Sequence, residues 1–225
     1  MPDIPVAATV VLVRDAPGGP EVLLIERPDR GSFAGGWVFP GGKIEDSDAV
    51  GMRRDAAEAD VARIAGVRET LEETGLSVDA GRMVTLSCWV PPLEAPVRIR
   101  TWFFVAPDPG GEVRLSVDEA VAARWVTPSA ALASHARGEL TLFPPTWVTL
   151  HGLTGQDDAD AVLAAARLTG PRRFETRVRV GATGRMLLWE GDAEYDAPHD
   201  EAVVPVSARH RLEAGGLPWT YLRTA

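Results

Sequence analysis

The run Arg68-Glu69-Thr70-Leu71-Glu72-Glu73-Thr74-Gly75-Leu76 constrains this chain more than any other segment. At about 100° per residue, Glu69, Glu72 and Glu73 share an arc of about 100° on one side of a helix. Ile64, Val67 and Leu71 point the opposite way, so the wheel predicts a helix that packs those three into a core and presents its acids. Gly75 suits the left-handed turn that closes such a helix. Like charges at these spacings repel and destabilise a bare helix. Either the acids form a solvated face, or a cation sits among them. Magnesium suits that place, because it prefers oxygen ligands and keeps waters that bridge to phosphates.

The segment upstream decides between these readings. Phe39-Pro40-Gly41-Gly42-Lys43-Ile44-Glu45 places two adjacent glycines where the backbone can turn sharply and bring its carbonyls to a metal or its amides to a phosphate. The glycine-rich stretch begins at Gly31, and its composition reads as a binding loop rather than a core element.

Around these motifs the apolar pattern predicts strands at residues 6–13 and 21–25, joined by Asp15-Ala16-Pro17-Gly18-Gly19-Pro20. It predicts a helix over 56–74, strands over 83–90, 97–105 and 121–126, and a short helix over 128–136. The mixture lacks regular strand–helix–strand alternation and indicates an α+β fold. After Thr141-Leu142-Phe143-Pro144-Pro145 the character changes. An alanine-rich helix over 158–168 is followed by strands near 174–180 and 185–189. Residues 1–150 form the main domain in this reading, and 151–225 a C-terminal extension packed on it. A dimer arm is the open alternative.

Composition excludes several classes. With a net charge of −9, the chain lacks the basic surface that nucleic acid requires. No apolar run is long enough to span a bilayer, and the N-terminus lacks the pattern of a secretion signal. Cys88 is the only cysteine, which suits a reducing cytoplasm and a buried filler role. His135, His151, His199 and His210 form no metal-ligand spacing. Lys43 is the only lysine, which we attribute to codon bias.

Taken together, Gly42 and Arg68-Glu69-x-x-Glu72-Glu73-x-Gly75-Leu76 resemble the box of the Nudix hydrolases, which cleave a nucleoside diphosphate linked to another group. The resemblance implies an αβα sandwich with a mixed sheet, and Mg²⁺ or Mn²⁺ held by Glu69, Glu72 and Glu73, with Gly42 adding a backbone carbonyl. It also implies that Arg68 orients the glutamates, and that metal-activated water attacks a phosphorus. The base is then a helix glutamate or Glu119, which lies in the Val117-Asp118-Glu119-Ala120 loop.

Two departures stand out. Asp48 occupies a position where the family has glutamate, and 19 residues (49–67) separate it from Arg68 where the family has seven. The surplus, near residues 49–60, carries Arg53, Arg54, Asp55 and Glu58 and reads either as a tolerated surface loop or as a flap beside the site. An interrupted box resembles the coenzyme A diphosphatase subgroup. Val38-Phe39-Pro40-Gly41-Gly42, Phe143-Pro144-Pro145-Thr146-Trp147 and Leu188-Trp189-Glu190-Gly191-Asp192 are also similar to that subgroup. The expected substrate is therefore coenzyme A or an acyl-coenzyme A, with ADP-ribose, NADH or another nucleoside diphosphate derivative as the alternative. A non-catalytic sensor of the same fold is a further alternative, although retention of all three box glutamates speaks for chemistry. Arg27, Arg30, Arg98 and Arg100 are candidate phosphate contacts. Trp37 and Trp102 read as core residues.

Overall fold

The computed structural model describes residues 4–30, 33–53, 55–116, 118–181, 184–196 and 208–224. Gly31, Arg54, Val117 and His199, named above, lie outside them. The valine-rich run predicted near the N-terminus is β1 (Val6–Arg14). It is buried on both faces, which explains why its apolar residues run on without alternating. Its neighbour β2 (Glu21–Glu26) pairs with it only at the far end, Val13 with Val22 and Arg14 with Glu21. Nearer its start, β1 instead pairs with β4 (Gly41–Lys43), Ala7 to Lys43 and Thr9 to Gly41. One edge of a single strand thus serves two partners, and β3 (Trp37–Val38) pairs with β2 between them in sequence. The glycine-rich segment predicted as a loop therefore contains two short strands. Its glycines let the backbone lie directly on β1.

The other edge of β1 runs parallel to β6 (Arg100–Pro107), which pairs with β5 (Val84–Val90). Beyond them β8 (Arg172–Glu175) adds in parallel to β5, and β7 (Ala122–Val126) pairs with β2. The result is a mixed, eight-stranded sheet. Helix α1 (Glu58–Thr74) covers one face over a core that includes Ala8, Val10, Leu12 and Phe104. Helices α2 (Pro128–Ala136), α3 (Pro144–Gly152) and α4 (Ala159–Thr169) cover the other. This is the α+β sandwich expected from the sequence.

The orientation of α1 differs from the expectation. Ile64 and Leu71 are 39% and 49% exposed, and only Val67 of that trio packs partly against the core. The buried face is Ala62, Ala65, Gly66, Thr70, Glu73 and Thr74. Small residues let the helix approach closely: a Cβ on Gly66 would lie 2.9 Å from Cγ2 of Val10. The close approach carries Glu73 inward and leaves the larger aliphatic residues outside. Gly75 ends the helix at φ 72°, as its sequence position requires.

In the extension, β9 (Arg177–Gly181), β10 (Gly184–Leu188), β11 (His210–Glu213) and β12 (Thr220–Arg223) form a second sheet in the order β12-β11-β10-β9. Leu187, Trp189 and Leu212 share one core cluster with Val11 and Phe103. No described helix is long and apolar enough to cross a membrane.

Candidate active site

The partner switch along β1 opens a cavity of about 590 Å³. Ala7, Ala8 and Thr9 line it from β1, Gly41 and Gly42 from β4, and Thr101 and Phe103 from β6. Glu69 and Glu73 enter from α1, and Glu119 from the loop ahead of β7.

Arg68 is the hub beside this cavity. It grips Asp48 in two-pronged fashion, Nε to Oδ1 at 2.9 Å and Nη2 to Oδ2 at 3.0 Å. It also donates to the Lys43 carbonyl, to Glu69 at 2.9 Å and to Glu72 at 3.0 Å. Burial alone would raise the Asp48 carboxyl. The Arg68 hydrogen bonds, the Glu45 amide and the Arg68 charge outweigh it and hold the group below the usual range. Asp48, the departure from the family's glutamate, thus clamps Arg68, and Arg68 in turn aims Glu69.

Glu73 is 1% exposed on its side chain. Its carboxylate accepts from the Gly41 amide at 2.7 Å and from Arg27. Burial outweighs both contacts and pushes its pKa up to about 7, with the charges of Glu69 and Glu119 adding to the rise. The Glu69 carboxyl is raised for the same first reason, against the pull of Arg68. Glu69 also lies directly over Gly42, where a Cβ would fall 2.3 Å from Cδ of Glu69. Gly42 pairs with Ala8 in the sheet, and its evident contribution is the missing side chain.

Glu119 hangs from the last turn of α1. Ser116 donates to the Glu73 carbonyl at 3.2 Å, and the Glu119 amide returns to Ser116 at 3.0 Å. Arg30 donates to the Asp118 carbonyl at 3.2 Å and steadies the same loop. Oε2 of Glu119 is buried with no hydrogen-bond partner.

Carboxylate oxygens of Glu69, Glu73 and Glu119 lie within 4.8 Å of one another. Three converging carboxylates, one with an orphaned buried oxygen and two with raised pKa values, fit a divalent cation chemically. Glu72 stands outside this trio, about half exposed and paired with Arg68.

The four candidate arginines separate. Arg27 and Arg30 line the cavity. Arg100 faces α1, where it pairs with Glu58. Arg98 does not line the cavity either. Alternation along β6 explains Arg100, since Ile99 and Thr101 take the cavity side. Trp37 is buried, and Trp102 donates its indole N–H to Glu58 at 2.7 Å. Glu58 belongs to the inserted segment, so the insertion supplies the first turn of α1 and ties it to β6.

Sequence reasoning missed three residues of the cavity wall. Lys43 lines it and makes no ion pair among the described residues, whereas Arg27 and Arg30 are paired with Glu73 and Asp118. Phe33 is 49% exposed and packs edge-on against Phe143, ring centroids 4.8 Å apart. Its φ of 64° is a conformation that bulky residues avoid, at a cost of order 1–3 kcal/mol. The uniqueness of Lys43 was the one available signal. Phe33 and Phe143 are too far apart in sequence for any local pattern to join them.

The sequence profile of the NUDIX domain matches residues 3–146. A NUDIX hydrolase from Alicyclobacillus acidocaldarius is similar in structure, with 26% identity and a TM-score of 0.65, over 73% of this chain and 97% of that one. The NUDIX domain of Shewanella oneidensis NrtR, solved in complex with ADP ribose, shares the fold at 15% identity and a TM-score of 0.52. That likeness covers 75% of this chain and 90% of that one. No curated protein matches the chain.

Proposed function

The chain belongs to the NUDIX family of diphosphate-bond hydrolases, and from that premise we propose that it cleaves coenzyme A or an acyl-coenzyme A at the diphosphate, with Mg²⁺ or Mn²⁺. The observation that carries the hydrolytic part is the meeting of Glu69, Glu73 and Glu119 in a cavity also lined by Arg27 and Lys43. The substrate preference rests on the interrupted box and on the Phe143-Pro144-Pro145-Thr146-Trp147 and Leu188-Trp189-Glu190-Gly191-Asp192 segments.

Glu69, Glu73 and the other carboxylate oxygen of Glu119 would hold the cation, leaving Oε2 of Glu119 free, with Glu72 at the rim and Gly42 giving Glu69 room. When bound, the cation supplies charge neutralisation at the phosphoryl oxygens and a more acidic water. Arg27 and Lys43 receive the diphosphate oxygens, Lys43 being the cation free to move onto them. Arg30 holds the Glu119 loop at the cavity mouth. The exposed ring of Phe33, backed by Phe143, offers a planar base a surface to stack on.

In the reaction, a water oxygen bonds to one phosphorus as the bridging P–O bond breaks. Oε2 of Glu119, which has no other partner, takes the water's proton. The leaving phosphate departs with the bridging oxygen and its electron pair.

A second reading, hydrolysis of ADP-ribose, is favoured by the ADP ribose complex of the Shewanella oneidensis domain. Mass spectrometry of products from a mixed panel of diphosphate metabolites separates the two. Release of 3′,5′-ADP and 4′-phosphopantetheine is the expected result. Turnover of ADP-ribose with none of coenzyme A would overturn the preferred substrate. Glu119→Gln is expected to lower kcat by 10²-fold or more, on the scale of about 10²–10⁴ for a lost general base. Unchanged kcat would remove Glu119 from that role.

A further inference from the structure

A second cavity, about 110 Å³, lies between α3, α4 and the β5–β8 edge of the main sheet. Its walls are mostly apolar, with Leu86, Trp89, Val148, Leu153, Val162 and Phe174. Trp89 and Phe174 stack there with centroids 4.0 Å apart. Arg172 and Tyr221 also line it, with Ser87, Thr149, Gln156 and Thr169 as further polar residues.

The charge at this cavity is unbalanced. Nearby arginines of the extension have carboxylate partners: Arg173 has Glu175, Arg177 has Asp196 and Arg209 has Glu194. Arg172 and Arg223 form no ion pair among the described residues. They lie close enough that burial, then the Arg223 charge, holds Arg172 below the ordinary arginine range. Tyr221 stands two residues before Arg223 on β12, on the same face of the strand. Its hydroxyl is buried beside the Arg223 guanidinium and makes no hydrogen bond of acceptable geometry. The Arg172 guanidinium and the Tyr221 phenol thus line the recess, and Arg223 follows Tyr221 on the same face of β12. Both arginines are solvent-exposed, and the group that lacks a partner is the buried Tyr221 hydroxyl.

We propose that this recess is a second ligand site, for a small amphipathic carboxylate. The head lies among Arg172, Arg223 and the Tyr221 hydroxyl, and a short aliphatic tail lies between α3 and α4. Planar guanidinium groups match a carboxylate in two-pronged geometry. Inorganic phosphate would meet the arginines and leave the apolar walls empty. The volume is below the ~150 Å³ that accepts benzene, so the tail has roughly four or five carbons. The site is separate from the carboxylate cavity, and its occupancy does not depend on the reaction proposed above.

The test is titration of the full chain with sodium hexanoate, followed by calorimetry and by the fluorescence of Trp89 in the cavity wall. The expected result is saturable binding that weakens at least tenfold for hexanol and for inorganic phosphate. Arg172→Met, at an exposed position, is expected to weaken hexanoate at least tenfold. Ala165→Leu, which narrows the recess, is expected to do the same for the tail. Both variants keep the wild-type melting temperature and diphosphate hydrolysis, which shows that the fold is intact. Absence of saturable binding overturns the proposal, as does equal affinity in Arg172→Met. Phosphate binding as tightly as hexanoate also overturns it, by showing an anion site without an apolar requirement.

Discussion

Two buried charge clusters in this molecule are built from the same residue types and solve opposite problems. In the extension, Arg211 bonds both oxygens of Asp192 and one of Glu194, and Arg209 adds a second contact to Glu194. The Glu194 and His210 amides complete Asp192. Two arginines meet two acids, and no buried side-chain nitrogen or oxygen of the four lacks a hydrogen-bond partner. At the cavity, Glu69, Glu73 and Glu119 converge with Arg27 and Arg68 reaching only two of them, and one oxygen of Glu119 is left bare. Hydrogen bonds therefore hold the Arg211–Asp192 pair charged against burial, while burial drives Glu69 and Glu73 toward the neutral form. A balanced cluster fixes a fold; an unbalanced one keeps a place for something else.

The largest effect should come from breaking the balanced cluster. Arg211→Met leaves buried Asp192 without its arginine and Glu194 with Arg209 alone, and stability in urea is expected to fall by about 3–5 kcal/mol. A loss below about 1 kcal/mol would mean that the cluster is as solvated as a surface pair.

The unbalanced cluster should respond to pH in the contrary sense. Glu73 titrates near 7 in the fold against 4.5 for the ordinary group. A raised carboxyl leaves the fold unpenalised below 4.5, and the stability it forgoes grows as pH rises through about 7. The shift amounts to about 3 kcal/mol at 1.36 kcal/mol per pH unit. His135, His151 and His210 are held below their usual range by desolvation and act oppositely, weakening the fold as pH falls below 6.5. Comparison of wild type with Glu73→Gln cancels them. In chelator, wild type should lose about 3 kcal/mol relative to the variant between pH 4.5 and 8. Added Mg²⁺ or Mn²⁺ should erase the difference, and a flat difference across that range would contradict the burial argument.

Lys43→Met probes the rim rather than the centre. KM for the diphosphate is expected to rise by about tenfold with kcat within a few-fold, equivalent to one charge-assisted contact of about 1.4 kcal/mol. Lys43→Arg should recover most of it. A fall in kcat at constant KM would instead place the lysine in the transition state. The smallest effect is expected on the outer face of α1, where Leu71→Gln should change stability by less than about 0.5 kcal/mol. A loss of 2 kcal/mol or more would restore the helix orientation that the wheel predicts.

That last comparison marks the boundary of what was legible. The extent of α1, its stop at Gly75 and the main strands were readable, because each is local. The burial of α1 was not. A helix packed through alanine, glycine and threonine carries little apolar contrast, so its large aliphatic residues mislead the wheel. The two short strands β11 and β12 also escaped notice, being charged or exposed over much of their length. At the site, Glu69 and Glu73 announce themselves by spacing. Glu119 was readable only as an acid in a loop, since its place depends on the Ser116 and Arg30 contacts across the fold. The free charge of Lys43 became visible only when each neighbouring arginine was seen to be paired.

Glu58 carries a lesson for anyone reshaping this scaffold. The surplus residues before the box helix look disposable by length, and trimming them to the shorter spacing would be a natural simplification. The excision would remove the one carboxylate that joins Arg100 to the indole of Trp102. The damage would appear across the helix–sheet contact, as a stranded guanidinium on β6. In this chain the extra segment behaves less like a loop than like a hem, stitched into the cloth at its inner edge.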